Sequence, residues 1–136
     1  MSSFLYAIDA KNGEQRWCFK TQYFVFNSNI VVDGVIYFGT GYNYDIYAVN
    51  INSGEYRWHF NTDDRITTSP YVINGIVYVE CYDQYLYALD SKSGALMWRY
   101  KLRDRIDSKL IVVDDIIYFR CRDGYLYALE IKKIGY

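Results

Sequence analysis

Apolar and polar residues alternate along this chain in short runs with a period of two, which predicts β-strands with side chains on both faces. The clearest stretch is Tyr85–Tyr100, YLYALDSKSGALMWRY. Leu86, Ala88 and Asp90 fall on one face of its first strand, with Tyr87 and Leu89 on the other. After the turn, Leu96, Trp98 and Tyr100 alternate with Ala95, Met97 and Arg99. Both faces carry apolar residues, so each sheet is expected to be covered on both sides. The turn ends on Gly94, which takes a left-handed backbone without a Cβ penalty, and Gly13 and Gly54 hold the same place in earlier copies.

The stretch recurs at Phe4–Phe19 and Asp45–Phe60, and a further copy begins at Tyr125–Glu130. Tyr6, Tyr47, Tyr87 and Tyr127 stand 41, 40 and 40 residues apart, and Trp17, Trp58 and Trp98 keep the same interval. Between the copies lies a second hairpin. Ser69–Asn74 leads through Asn74-Gly75 into Ile76–Cys81, with counterparts around Asp33-Gly34 and Asp114-Asp115. Asn-Gly and Asp-Gly between β-branched runs are strong hairpin signals. Each unit therefore reads as four antiparallel strands, a to d, and no segment carries capped helical periodicity. Pro70 stands at the start of an a strand, where a missing N–H is tolerated.

A unit of this length cannot bury enough surface alone, so repeats must stack. Radial stacking of four-stranded sheets is a β-propeller. A β-sandwich is the alternative, but it does not require strict repetition of Tyr, Gly and Trp. The expected organisation is one all-β domain, 1–136, of three to four blades: a partial blade 1–22, blades 23–62 and 63–103, and a partial blade 104–136. The chain enters in a c strand and leaves after another, with thirteen strands expected. Propellers close with about four to eight blades, so this is a partial ring. It is expected to expose two blade faces and unpaired edges, which favour association. The expected partner is a further copy, in a homo-oligomer that completes the ring.

The string LYALD-x-x-x-G-x-x-x-W at Leu86–Trp98, with its counterpart at Leu5–Trp17, resembles the tryptophan-docking repeat of quinoprotein-like (pyrroloquinoline quinone repeat) β-propellers. The resemblance implies that Trp17, Trp58 and Trp98, with Ala7, Ala48 and Ala88, form a girdle between blades. Thr68-Ser69-Pro70-Tyr71-Val72 is likewise similar to that family's innermost strand. The family includes quinone-dependent dehydrogenases, outer-membrane assembly lipoproteins and sensor domains, so it implies the fold more narrowly than the function. A quinone enzyme of this kind implies calcium-binding carboxylates, a catalytic acid and often adjacent cysteines, a set that this sequence does not present.

Composition narrows the partners. Lys and Arg number 15 against 16 Asp and Glu, which leaves no basic stripe for nucleic acid or an anionic membrane. No apolar run approaches the ~18 residues of a membrane-spanning helix. The first residues, MSSFLYAIDAK, run straight into the repeat without a charged segment and apolar core of a leader. With three widely spaced cysteines, Cys18, Cys81 and Cys121, this points to a reducing, cytoplasmic setting.

Candidate chemistry is sparse. Cys81 and Cys121 occupy one position in neighbouring units, and stacked sheets ~10 Å apart exceed the ~7 Å limit of a disulfide; buried thiols are expected. His59 has no marked nucleophile near it in sequence, and Asp63-Asp64 and Asp114-Asp115 read as solvated turns. Gly39-Thr40-Gly41 reads as a hairpin turn, since no helix follows to hold a phosphate. Arg65, Arg103 and Arg105 are expected near the channel mouth as contacts for an anionic partner. The resulting expectation is a non-catalytic propeller scaffold for self-assembly and protein–protein interaction, with no catalytic residue, metal or cofactor assigned. The alternative is part of a pyrroloquinoline quinone and calcium-dependent dehydrogenase, or a propeller that binds a small ligand.

Overall fold

A computed structural model describes residues 3–21, 25–40, 44–66 and 69–131. Among these residues thirteen strands form four antiparallel sheets. The first holds β1 (Ser3–Ile8) and β2 (Gln15–Thr21). The second holds β3 (Val25–Val32), β4 (Val35–Thr40), β5 (Asp45–Asn50) and β6 (Tyr56–Asn61). The third holds β7 (Tyr71–Ile73), β8 (Ile76–Glu80), β9 (Tyr85–Asp90) and β10 (Leu96–Lys101). The fourth holds β11 (Ile111–Val113), β12 (Ile116–Arg120) and β13 (Leu126–Glu130). Strands neighbour one another in chain order throughout. The architecture is a partial propeller ring that does not close.

Turn chemistry sets the registers. Asp33 and Gly34 have φ of 51° and 76°, and Asn74 and Gly75 have 51° and 79°. Two positive φ values in succession are the hairpin geometry whose twist matches the flanking strands. Asp114 and Asp115 repeat it at 50° and 63°, with Asp115 where the other two turns carry glycine. The longer turns are held by the residue ending each c strand. Asp9, Asn50 and Asp90 accept the N–H groups of Gly13, Gly54 and Gly94 at 2.8–2.9 Å through their carbonyls. Their side chains accept Lys11 N–H at 2.8 Å, Asn52 N–H at 2.9 Å and Ser93 N–H at 3.0 Å.

The innermost strands depart from the sequence reading. The a strand read from Ser69 is reduced to Tyr71–Ile73, preceded by a lone bridge between Ile66 and Cys81. Pro70 supplies no N–H there, and Thr68 lies outside the described residues. The counterpart in the fourth sheet is equally short, with a bridge between Ile106 and Cys121. There Ser108 Oγ accepts Arg120 N–H at 2.8 Å, so a side chain takes the place of a ladder carbonyl. Gly39 and Thr40 close β4 rather than forming a turn, and Gly41 lies outside the described residues.

The core lies between sheets. One cluster joins Tyr37, Ile46, Ala48 and Trp58 of the second sheet to Ile66, Val77, Val79, Tyr87 and Leu89 of the third unit. Another joins Tyr78, Leu86, Ala88 and Trp98 of the third sheet to Ile117 and Phe119 of the fourth. Neither sheet of a pair buries these residues by itself, so stacking and folding are one process.

Candidate interaction surfaces

Each tryptophan stands opposite the alanine of its own hairpin: Trp17 with Ala7, Trp58 with Ala48 and Trp98 with Ala88. The Trp17 and Trp58 rings reach the turn of the next unit. A Cβ on Gly54 would come within 2.6 Å of Trp17, and one on Gly94 within 2.5 Å of Trp58. Trp17 Nε1 donates to Ile51 O and Trp58 Nε1 to Ser91 O, both at 2.9 Å. The glycines were legible only as turn residues; their second role, as the floor beneath a neighbour's indole, depends on a contact between distant segments. Trp98 is buried, and its Nε1 has no acceptor among the described residues.

The two ends of the stack expose what the interior buries. Tyr6 and Ile8 on β1 are 55% and 51% exposed, whereas Tyr87 and Leu89 in the same repeat positions are 3% and 0% exposed. At the other end Leu126 is 76% exposed against 1% for Leu86. Ile111 and Val113 on β11 are exposed as well. The free faces are therefore the two halves of an interface that the chain already assembles internally.

The arginines separate into two places. Arg65 and Arg105 lie over the Tyr82 ring, 5.7 and 4.8 Å from its centroid. The turns there are tied to the innermost strands, since Tyr82 N–H donates to Arg65 O at 2.8 Å and Arg122 N–H to Arg105 O at 2.9 Å. Arg103 stands apart, exposed beside Asp123 and Tyr127 in an open groove with Tyr100, Tyr125 and Leu126.

The titratable groups with shifted pKa are engaged in hydrogen bonds or burial. Tyr87 Oη donates to Asp83 and Tyr127 Oη to Asp123, each at 2.5 Å. Burial, then the bond to Asp83, raises the Tyr87 pKa. The bond to Asp123 leads in pushing Tyr127 up to about 12, and the same bond lowers Asp123. Cys81 and Cys121 are buried free thiols, and burial raises the Cys81 pKa while its Sγ donates to Asp64 O at 2.9 Å. His59 is exposed, with Nδ1 2.5 Å from Tyr56 Oη.

A family described as outer membrane protein assembly factor BamB matches residues 2–133. The chain belongs to this BamB-like repeat family. The crystal structure of BamB from Moraxella catarrhalis is similar at a TM-score of 0.74 and 25% identity, covering 95% of this chain and 40% of that one. This chain thus spans about two fifths of that BamB's length. The computationally designed Ika4 protein shares the fold at a TM-score of 0.76 and 17% identity, covering 94% of this chain and 79% of its own. A quinohemoprotein alcohol dehydrogenase from Pseudomonas putida HK5 does so at 0.63 and 23%, covering 80% of this chain and 19% of its own. No curated protein matches the chain by sequence.

The quinone and calcium implied by the dehydrogenase branch need a donor set. Among the described residues no three His, Cys, Asp or Glu side chains come together as a metal ion requires. Cys81 and Cys121 sit in separate units rather than side by side. Among the described residues, no helix is long and apolar enough to cross a membrane.

Proposed function

We propose that this protein is a non-catalytic propeller scaffold that completes its ring with further copies of itself and uses the assembled surface to contact another protein. One observation carries the reading: the faces that pair inside the chain stand open at its two ends, Tyr6 and Ile8 at one and Leu126 at the other. A head-to-tail interface of this kind closes when the rotation per copy permits a ring. The family's description as an assembly factor supports a protein rather than a small-molecule partner. Arg65 and Arg105, which lie over the Tyr82 ring, would take an acidic segment of that partner, with Arg103 as a separate contact. The three free thiols suit a cytoplasmic setting.

Light scattering of the purified chain at micromolar concentration tests the reading. A mass at a whole multiple of 16.2 kDa, falling on dilution, is expected. A cooperatively folded monomer at every concentration would refute it.

A further inference from the structure

We propose that copies join by hairpin exchange: β1 and β2 of one copy take the place of β13 beside β12 of the next. The inference rests on the self-assembling reading above and specifies its mechanism.

Strand identity is the first support. Residues 4–9, FLYAID, and 125–130, YLYALE, occupy one repeat position and match in side-chain class at every step. The fourth sheet ends on a strand of this type, and the first sheet begins with one. Joined as they stand, they would carry one such strand too many for a four-stranded sheet. Edges are the second support. Among the described residues β1 pairs only with β2, so β1 keeps one row of backbone donors and acceptors outside that ladder.

The third support is the uncovered face of β13. Leu126, Ala128 and Glu130 are exposed, whereas β9 is buried at its four central positions and β5 at four of its six. The β1–β2 hairpin is the more self-contained unit, closed at its turn by Asp9 N–H donating to Glu14 O and Gly13 N–H to Asp9 O, both at 2.8 Å. Exchange replaces the β12–β13 ladder bond for bond and adds β2 as the fourth strand, so burial is gained without ladder loss.

The register follows from the repeat. Tyr118 now faces Ala128 and Phe119 faces Tyr127. After exchange Tyr118 faces the second copy's Ala7 and Phe119 its Tyr6. The second copy's Trp17 then stands in the fourth sheet where Trp58 and Trp98 stand in theirs.

Hydrogen exchange read by mass spectrometry on the full chain, at a concentration where scattering reports assembly and again after dilution to monomer, decides the matter. In the assembly the amides of β13 should lose protection and those of β1 gain it, while β12 stays protected. An assembly in which β13 remains protected overturns the exchange and leaves self-assembly standing. A chain that is monomeric at all concentrations overturns both.

Discussion

Trp58 and Trp98 occupy one repeat position, face equivalent alanines and are 5% and 4% exposed. They differ in what their indole nitrogens meet. Trp58 donates to Ser91 O across the sheet boundary and rests on Gly94, while Trp98 has no acceptor among the described residues. The hairpin that carries a tryptophan fixes where its donor points; the next unit's turn supplies the acceptor and the floor. The energy of the contact therefore belongs to a pair of units, and one repeat read alone contains only half of it.

Filling the floor beneath the indole is expected to have the largest effect. Gly94 and Gly13 share a turn position and left-handed φ of 76° and 77°, but a Cβ meets Trp58 at the first and nothing within 4 Å at the second. Gly13→Ala is expected to cost about 1 kcal/mol, the penalty of a left-handed alanine. Gly94→Ala adds overpacking against the indole, for about 2–5 kcal/mol in all. Urea unfolding of the two variants measures the difference; equal losses would remove the Trp–Gly contact as a source of stability.

A smaller effect is expected from removing the indole nitrogens. Trp58→Phe abolishes a hydrogen bond and leaves Ser91 O without that donor, whereas Trp98→Phe removes a donor with nothing to lose. The first should be costlier by about 1 kcal/mol, read as a difference in urea midpoint. Identical costs would mean that Trp98 finds an acceptor of equal worth.

The smallest effect is spectroscopic. Tyr127 is pushed up to about 12 by its bond to Asp123. A tyrosine raised in the folded state binds its proton longer there than in the unfolded chain. Its contribution is thus fully present below pH ~10 and is lost as pH climbs through the folded value. Ultraviolet titration of phenolate should show late tyrosines, Tyr87 among them, one of which has a midpoint that falls in Asp123→Asn, and Tyr127→Phe should remove that step. A midpoint unmoved by Asp123→Asn would sever the pair.

Much of the fold was legible because its determinants are local. Asn74-Gly75 and Asp33-Gly34 announce hairpins through backbone preference alone, and the 40-residue spacing of Tyr47, Tyr87 and Tyr127 implies stacking. The shortened a strands were not legible, because Ser108 reaching Arg120 N–H is a choice among partners that pattern does not encode. The surface was harder still. Gly54 and Gly94 read as turn residues from one side and as docking floors from the other, and only the fold joins the two readings. Arg65 and Arg105 come together on Tyr82, while Arg103, two residues from Arg105, stands elsewhere; spacing along the chain did not separate them.

Units this alike face a sorting problem during collapse, since any sheet offers a plausible seat to any other. Position 39 in β4 corresponds to Glu80 in β8 and Arg120 in β12 by their pairing with Ile46, Leu86 and Leu126. Gly39 lies where a Cβ would meet the Ile66 side chain at 3.4 Å, whereas the buried Glu80 carboxylate accepts Ile106 N–H at 2.7 Å. A misplaced neighbour at the second junction would cost that carboxylate its bond from Ile106 N–H, worth about 1.5–3 kcal/mol for a charged acceptor. Gly39 and Glu80 thus act as addresses, telling otherwise interchangeable pieces which of them comes next.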